Sequence, residues 1–303
     1  MERRVYISGE YFPESDAKIS VFDSAVMLGD TATESTRTFL HRPFKLEAHV
    51  ERLYQSLKIM RVDPGMTAEE MARVTLEVMA RNLPAYAEDE DLWIVHNVSR
   101  GDYPPAGYQG TERKATVIIH TAPMDLSMWV GFYTRGCHAV TPPSRMMPAQ
   151  SLDPKIKNRS RMSYTLSELE VKLVDPEAQS IILDMDGFIA ENKGGNFFVV
   201  QGGTLKTPPT WQALAGITRE TTIEIAERQG IPVEVCPLQP YDVYTADEAF
   251  FTSTPYCIMP ATQFNGLPVG DGHVGPITKA LLGGWNELAG FDIAERARGK
   301  LEA

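Results

Sequence analysis

The 303-residue sequence predicts an α+β fold in two domains. Helical and strand patterns are interspersed along the chain, without the strict strand–helix–strand order of a doubly wound parallel sheet. Neither pattern holds over residues 122–127, and we place an interdomain linker at residues 123–130. The expected organisation is therefore a small N-terminal domain, residues 1–122, and a larger domain, residues 131–303.

Strands are expected where apolar and β-branched residues alternate or cluster between turn residues. The turn-prone residues 12–15 separate the first two runs and indicate a hairpin. Gly202-Gly203 indicates a second, tighter hairpin. The predicted strands cover residues 4–9, 17–22, 92–98, 115–120, 181–183, 196–200, 204–207 and 249–253.

Helices are indicated by the helical spacing of apolar residues and by capping residues at their ends. Apolar residues recur at steps of three and four from Leu46 to Met60, the stripe of an amphipathic helix. Thr67 and Glu70 have the spacing of a capping box. Gly230 ends a later helix, and a proline begins the last one. The predicted helices cover residues 46–60, 67–81, 163–174, 218–229 and 276–288.

Composition excludes several classes of protein. The 29 basic and 40 acidic residues give a net charge of −11, which argues against nucleic-acid or anionic-membrane partners. No apolar run approaches the roughly 20 residues that span a bilayer, and the N-terminus lacks the apolar core of a signal peptide. Three widely spaced cysteines fit neither a disulfide framework nor a zinc site. We expect a cytoplasmic protein.

Several common catalytic motifs are missing. The six histidines show no metal-ligand spacing, so no metal site is expected. The sequence contains no Gly-x-Ser-x-Gly elbow, no P-loop and no Gly-x-Gly-x-x-Gly turn. Most hydrolase and nucleotide chemistry is therefore unsupported.

A lysine in Ile156-Lys157-Asn158 precedes a predicted helix. A lysine whose stem lies on apolar surface loses hydration, which lowers its pKa and makes the amine available for a Schiff base. Judged on these residues alone, Lys155 is an equal candidate, and an ordinary surface lysine is the more common result of such a pattern.

A carboxylate and two glycines meet near residue 191. A short strand ends at Glu191, and Gly194-Gly195 then allow the backbone to approach a ligand closely. A carboxylate fixed there could keep a pyridine nitrogen protonated. A solvated acid in a β-turn is the alternative.

A glycine and a hydroxyl residue open the helix predicted after residue 216. Backbone N–H groups at a helix N-terminus form an anion site, so Leu214-Ala-Gly216-Ile-Thr218 suits a phosphate. The alternative is that Gly216 and Thr218 merely cap the helix.

Together, and in this order, these segments resemble the class IV aminotransferases. That family includes branched-chain aminotransferases, D-amino-acid aminotransferases and (R)-selective amine transaminases. The resemblance runs from Phe22 to Thr278, and residues 189–198 followed by 214–219 are its specific part. It implies fold type IV: a small N-terminal α/β domain and a larger C-terminal domain, with pyridoxal 5′-phosphate (PLP) in the cleft and a homodimer completing the site.

The resemblance also implies roles around the ring and the amine. Lys157 is the Schiff-base lysine, and Glu191 is the acid that pairs with the pyridine nitrogen. Leu214 is the apolar residue that packs against the ring. A folded but non-catalytic interaction module is the competing hypothesis.

The phosphate contacts follow in the same way. Arg52, in His49-Val-Glu-Arg52-Leu53, matches the arginine that binds the phosphate. Ile217 and Thr218 match residues whose backbone amides surround it. Thr254 matches a nearby hydroxyl.

The substrate-facing residues depart from each known relative. Trp93-Ile-Val95-His96 stands where branched-chain enzymes carry Tyr-x-Arg-Pro, so a valine replaces their arginine. D-amino-acid enzymes carry a tyrosine at the position of Thr33 and a carboxylate-binding arginine at that of Pro105. The remaining candidate carboxylate partners are two arginines, Arg37 and Arg100, and a structural role is an equal alternative for each.

These departures favour a D-amino acid or an (R)-amine as the donor and a 2-oxo acid as the acceptor. A branched-chain L-amino-acid aminotransferase is the first alternative, and an enzyme similar to aminodeoxychorismate lyase is the second. Further departures are Lys193 in the glycine turn and Met162, where branched-chain enzymes carry tyrosine.

Overall fold

A computed structural model describes residues 1–103 and 114–302, which form two compact units. Unit 1 contains Met1–Met124 and Ile156–Ser160, and unit 2 contains Asp125–Lys155 and Arg161–Ala303. The sequence placed residues 156–160 in the larger domain. Backbone hydrogen bonds to residues 31 and 33 join this segment to unit 1 instead.

Unit 1 is built on an antiparallel sheet. Within the described residues its strand order is β2-β1-β6-β5-β3-β4. The longest pairings join β5 to β3, from Thr31 opposite Ser99 to Arg37 opposite Trp93, and β5 to β6. The strands are β1 (Arg4–Ile7), β2 (Glu10–Pro13), β3 (Thr31–Phe39), β4 (Arg42–Pro43), β5 (Leu92–Ser99) and β6 (Thr116–Pro123).

The predicted second strand of the first hairpin is wrong. Residues 17–20 have no regular structure, and residues 10–13 pair with β1 instead. The chain reverses earlier than expected because Ser8 and Gly9 adopt positive φ angles of 46° and 108°. This left-handed geometry suits the turn of a tight hairpin.

Two long helices, α2 (Leu46–Met60) and α3 (Ala68–Asn82), cover one face of this sheet, and a short helix, α1 (Ser24–Leu28), precedes β3. The predicted stripe of α2 is buried, from Leu46 through Leu57, against Ile94 and Ile119 of the sheet. The capping box of α3 is confirmed, since Thr67 and Glu70 each accept a hydrogen bond from the other's backbone amide. The core of unit 1 therefore lies between the two long helices and the sheet.

Unit 2 contains a mixed sheet of order β11-β10-β9-β12-β13-β7-β8, with β14 paired to β13, among the described residues. The hairpin at Gly202-Gly203 is confirmed. Residues 181–183 form no regular strand, because Leu183 makes only isolated bridges. The strands are β7 (Cys137–Val140), β8 (Gln179–Ser180), β9 (Asn196–Gln201), β10 (Thr204–Thr207), β11 (Val233–Val235), β12 (Glu248–Ser253), β13 (Cys257–Phe264) and β14 (Leu267–Pro268).

Aromatic pairs across β9 and β12 fill the centre of unit 2. The rings of Phe197 and Phe251 lie 4.9 Å apart, and those of Phe198 and Phe250 lie 5.0 Å apart.

No helix in the described part of the chain is long and apolar enough to cross a membrane. The helices are α4 (Phe132–Arg135), α5 (Met162–Lys172), α6 (Ile217–Arg228), α7 (Pro240–Tyr244), α8 (Pro276–Ala289) and α9 (Ile293–Glu302).

Candidate active site

A buried ion pair fixes Arg52 in unit 1. Its Nε donates to Oε2 of Glu34 at 2.8 Å, and its Nη2 donates to Oε1 at 2.7 Å. The Nδ1 atom of His49 lies 2.9 Å from the same Oε1. His49 and Arg52 share one face of α2 because they are three residues apart. The sequence did not single out Glu34, an acid within a threonine-rich run.

The charges of this cluster follow from its surroundings. Burial raises the pKa of Glu34, but the cation of Arg52 and the neighbouring His49 outweigh it and hold that pKa well below its usual range. Burial lowers the pKa of His49, against the opposing effect of Glu34. Glu34 is therefore a carboxylate that orients the Arg52 guanidinium.

The Lys157 segment extends the edge of the unit 1 sheet. Thr33 donates its amide to the carbonyl of Lys157 at 2.9 Å, and Arg159 donates to the carbonyl of Thr31 at 2.9 Å. The amide of Lys157 donates to Oγ of Ser56 at 3.1 Å. Ser56 lies one turn after Arg52 on α2, so one helix carries the predicted phosphate arginine and anchors the backbone of the predicted Schiff-base lysine.

The competing lysine is in a different setting. Lys155 belongs to unit 2, and its Nζ lies 3.1 Å from Oδ2 of Asp153, with the two side chains 45% and 40% exposed. Lys157 is half-buried. This difference favours Lys157 as the reactive amine, although the assignment stays a prediction.

Four predicted substrate residues share the second face of the unit 1 sheet, opposite α2 and α3. Residues directly paired across antiparallel strands point to the same face. Arg37 pairs with Trp93, and Thr33 pairs with Asn97, two residues after Val95. Trp93 is half-buried, whereas Thr33, Arg37 and Val95 are buried.

Both predicted carboxylate arginines bind protein groups. Arg37 is 3% exposed; its Nη2 lies 3.5 Å from Oδ2 of Asp91, and its guanidinium stacks on Phe39. Arg100 donates to Asp30 at 2.8 Å and to the carbonyl of Met60 at the end of α2 at 2.8 Å. These contacts give both arginines a structural role. Pro105 lies outside the described residues.

In unit 2, Glu191 is a buried carboxylate with defined donors. The hydroxyl of Tyr164 donates to Oε1 at 2.6 Å, and the amide of Leu214 donates to Oε2 at 2.9 Å. Only 4% of Glu191 is exposed. Sequence reasoning missed Tyr164, whose sole signal was its place in the first turn of α5.

Asn196 and two glycines shape the segment that leads into α6. The Nδ2 of Asn196 donates to the carbonyl of Leu214 at 2.8 Å. A Cβ on Gly216 would lie 2.0 Å from Oδ1 of Asn196, and one on Gly195 would lie 2.1 Å from the carbonyl of Thr252. Any larger residue at either glycine would displace this segment. Leu214 is thus fixed through both of its backbone groups.

The N-terminus of α6 presents backbone amides. Gly216 caps the helix without a side-chain hydrogen bond, and Ile217 and Thr218 begin the first turn. The first amides of a helix have no partner within it and attract anions. Thr218 is buried, and Thr254, which follows β12, is half-buried. The turn offers the donors that a phosphate group requires.

Lys193 and Met162 are the two other positions at which the sequence departs from its relatives. Lys193, in the glycine turn, pairs with Glu168 of α5 at 2.7 Å. Met162, at the start of α5, is 74% exposed.

No cluster of His, Cys, Asp or Glu able to hold a metal ion occurs in residues 1–103 and 114–302.

Comparison with known proteins identifies the family. The family model described as amino-transferase class IV matches residues 31–264. A putative branched-chain-amino-acid aminotransferase of Methanocaldococcus jannaschii is 34% identical over 283 residues, covering 92% of this chain and 93% of that protein.

Solved structures agree. The branched-chain aminotransferase of Thermoproteus uzoniensis, crystallised with norvaline, has a TM-score of 0.85 at 28% identity and covers 96% of each chain. The T.th. branched-chain amino acid aminotransferase with pyridoxamine 5′-phosphate has a TM-score of 0.82 at 25% identity, covering 96% of this chain and 95% of that one. These matches confirm the predicted fold class and the predicted transaminase activity. The chain belongs to the class IV aminotransferase family.

Proposed function

We propose that this chain moves an amino group between a branched-chain L-amino acid and a 2-oxo acid. The observation that carries the proposal is the full-length likeness to relatives with branched-chain aminotransferase names. PLP is the cofactor, in agreement with the sequence. The choice of donor replaces the D-amino acid or (R)-amine favoured by the sequence, for which the comparisons give no support.

The residues present fit PLP. Lys157 can supply the amine, and Glu191 is a buried carboxylate that accepts hydrogen bonds from the Tyr164 hydroxyl and the Leu214 amide. A carboxylate is the group that pairs with a protonated ring nitrogen. The first amides of α6 suit a phosphate. A Cβ at Gly195 or Gly216 would clash with Thr252 or Asn196, so both glycines are needed to keep the backbone around Leu214 and the start of α6 in place.

We assign the phosphate and ring contacts as the family resemblance implies them. Arg52 would bind the phosphate with a guanidinium that Glu34 orients, and such charge-assisted bonds are among the stronger ones in proteins. The amides of Ile217 and Thr218 and the hydroxyl of Thr254 are assigned to the phosphate as well. Leu214 would pack against the ring.

PLP supplies an electron sink for the pair of electrons left when the substrate Cα loses its proton. The Nζ of Lys157 would remove this proton and hold it until it is returned. Glu191 would hold a proton on the pyridine nitrogen, because a nearby carboxylate favours the charged form of a base. Both tasks need groups fixed in place.

The second face of the unit 1 sheet supports an amphipathic substrate. Val95 lies between Ser35 and His120 in the strand register, and Trp93 lies between Arg37 and Ala122. The face thus mixes apolar side chains with polar ones. We assign the apolar side chains to contact with an aliphatic substrate side chain.

One observation favours the second candidate, a donor without a carboxylate. Valine occupies position 95, where branched-chain enzymes carry arginine. Arg37 and Arg100 are bound to Asp91 and Asp30. Both arginines predicted to bind a substrate carboxylate are thus already paired with carboxylates of the protein. An (R)-amine donor stays a testable alternative.

We further propose that the chain forms a homodimer in the cytoplasm. Apolar side chains from residue 21 to residue 28 are exposed, including Val21 at 69%, Val26 at 58% and Leu28 at 57%. Contiguous exposed apolar surface is typical of interfaces. A second copy of the chain is the partner that the family resemblance implies, and size-exclusion chromatography with light scattering tests it.

The donor is tested by single-turnover absorption of the bound cofactor. L-Leucine, D-alanine and (R)-1-phenylethylamine are compared at equal concentration, and 2-oxoglutarate then restores the spectrum. We expect L-leucine to react at least about tenfold faster, which corresponds to about 1.4 kcal/mol in the barrier. Lys157→Ala is the control: without the amine that moves the Cα proton, it should not transfer the amino group of any donor to the cofactor. Faster reaction with (R)-1-phenylethylamine or D-alanine would overturn the branched-chain assignment.

A further inference from the structure

Tyr164 donates a short hydrogen bond to the carboxylate predicted to pair with the cofactor. Its hydroxyl lies 2.6 Å from Oε1 of Glu191, in the bond length range of a hydroxyl donor to a charged acceptor. The other carboxylate oxygen, Oε2, accepts the backbone amide of Leu214 at 2.9 Å. The two donors thus hold different oxygens of one carboxylate.

The ring of Tyr164 is held by its neighbours. It packs against a buried cluster formed by Met146, Ile182 and Ala190. The guanidinium of Arg161, at the start of α5, lies 4.5 Å from the ring centroid. A ring fixed in this way keeps its hydroxyl aimed at Glu191, so the hydrogen bond is built into the packing.

The phenol acts as a donor under working conditions. Burial raises the pKa of Tyr164, and the charge of Glu191 raises it further, against the smaller opposing effect of Arg161. The hydroxyl therefore keeps its proton at neutral and moderately alkaline pH. Because the phenol keeps its proton, it donates a hydrogen bond to Glu191 without transferring the proton, and Glu191 stays ionised.

We propose that Tyr164 is a positioning residue for Glu191, which it holds in the orientation that pairs with the pyridine nitrogen of PLP. The inference rests on the proposed role of Glu191. A glutamate side chain has several rotatable bonds, and ordering them has an entropic cost. The hydrogen bonds from the Tyr164 hydroxyl and the Leu214 amide order the Glu191 side chain before the cofactor binds, so the carboxylate is preorganised.

A consequence can be measured at the cofactor. A positive charge on the ring nitrogen lowers the proton affinity of the nitrogen joined to Lys157, because like charges disfavour one another. If Glu191 loses its orientation, the ring nitrogen holds its proton less well. The pH midpoint of the visible absorption change of the holoenzyme should then rise.

The test compares Tyr164→Phe with the unaltered holoenzyme by spectrophotometric pH titration. The variant keeps the ring and removes one oxygen. We expect the midpoint to rise by about 0.5–1 pH unit, the size of one hydrogen bond. We also expect kcat to fall about tenfold at nearly unchanged KM. If Tyr164→Phe does not fold, Tyr164→Met, which fills apolar space flexibly, gives the same measurement.

Tyr133→Phe is the matched control in the same unit. Its hydroxyl donates to the carbonyl of Tyr256 at 2.9 Å, and its ring is buried. This control should leave the midpoint unchanged. If the midpoint is unchanged in Tyr164→Phe but rises in Glu191→Gln, the inference about Tyr164 is overturned and the role of Glu191 stays intact. An unchanged midpoint in Glu191→Gln would overturn both assignments, without affecting the donor comparison.

Discussion

The carboxylate of Glu34 and the guanidinium of Arg52 form a two-point, buried ion pair, with donor–acceptor distances of 2.7 and 2.8 Å. Neither side chain can turn without breaking both bonds. The pair therefore fixes the direction of the guanidinium before any anion binds. A preorganised arginine loses less entropy on binding than a mobile one.

Arg52→Ala should weaken PLP binding by about 1.5–3 kcal/mol, the usual size of a hydrogen bond to a charged group. Glu34→Gln keeps the shape but removes the charge, and should weaken PLP binding by a smaller amount. The dissociation constant of PLP is measured for each variant by titrating the apoprotein with PLP. Glu177→Gln breaks an exposed pair with Arg135 and is the control. Unchanged affinity in Arg52→Ala would show that Arg52 is not a phosphate ligand.

Borohydride reduction should attach the cofactor to Lys157. The purified protein should be yellow, and the labelled peptide should contain Ile156-Lys157-Asn158. The expectation follows from the backbone of Lys157, which is fixed by Ser56 and Thr33. Peptide mass spectrometry is the measurement, and Lys155→Arg is the control that should label normally. Label on Lys155 would move the assignment. A colourless protein that takes up no PLP would revive the interaction-module hypothesis.

Glu191→Gln should retain PLP but slow proton removal from the substrate by about 100-fold or more, because a neutral amide cannot stabilise a charged ring nitrogen. The amide can still accept a hydrogen bond from Tyr164 or Leu214, so the fold should persist. Stopped-flow absorption with L-leucine gives the rate, and circular dichroism gives the fold. Loss of both cofactor and fold would assign Glu191 a structural role.

His96 should make the protein less stable in acid. Burial lowers the pKa of His96 from 6.5 to about 4, and its Nε2 lies 2.8 Å from Oγ1 of Thr75. Below pH 6.5 the unfolded chain binds a proton that the folded chain does not. The His96 contribution to stability is therefore full above pH 6.5 and is lost as the pH falls to about 4, by about 3 kcal/mol.

Urea unfolding at several pH values measures this loss. His96→Gln does not titrate, so its stability should fall less between pH 6.5 and 4 than that of the unaltered chain. His273→Gln removes an exposed histidine and is the control. Equal pH slopes in His96→Gln and the unaltered protein would mean that His96 has the same pKa in the folded and the unfolded chain.

Local signals in the sequence predicted α2, α3, α5, α6 and α8, but not the short helices α1, α4 and α7 or the last helix, α9. The stripe of α2 and the Thr67–Glu70 capping box depend on residues a few positions apart. β3 was missed because it carries polar residues on both faces. Glu34, Thr36 and Thr38 are fully buried, so the alternation that marks a half-buried strand is absent. Their partners, which make burial possible, lie far along the chain.

The contacts of the site depended on pairs that a sequence pattern does not reveal. Glu34 meets Arg52 across 18 positions, Tyr164 meets Glu191 across 27, and Arg37 meets Asp91 across 54. The family resemblance indicated which residues act, and their roles stay predictions. It did not indicate which neighbours orient them, because orientation is set by tertiary packing.

Residues 156–160 belong to unit 1 although the chain has already left that unit after residue 124. On the ribosome, the first 124 residues emerge without the segment that pairs with Thr31–Thr33. At about 5–20 residues per second, synthesis from residue 124 to residue 160 takes about 2–7 s. During this interval one edge of β3 lacks its final partner. The nascent chain thus completes its first sheet only after part of the second unit has been made.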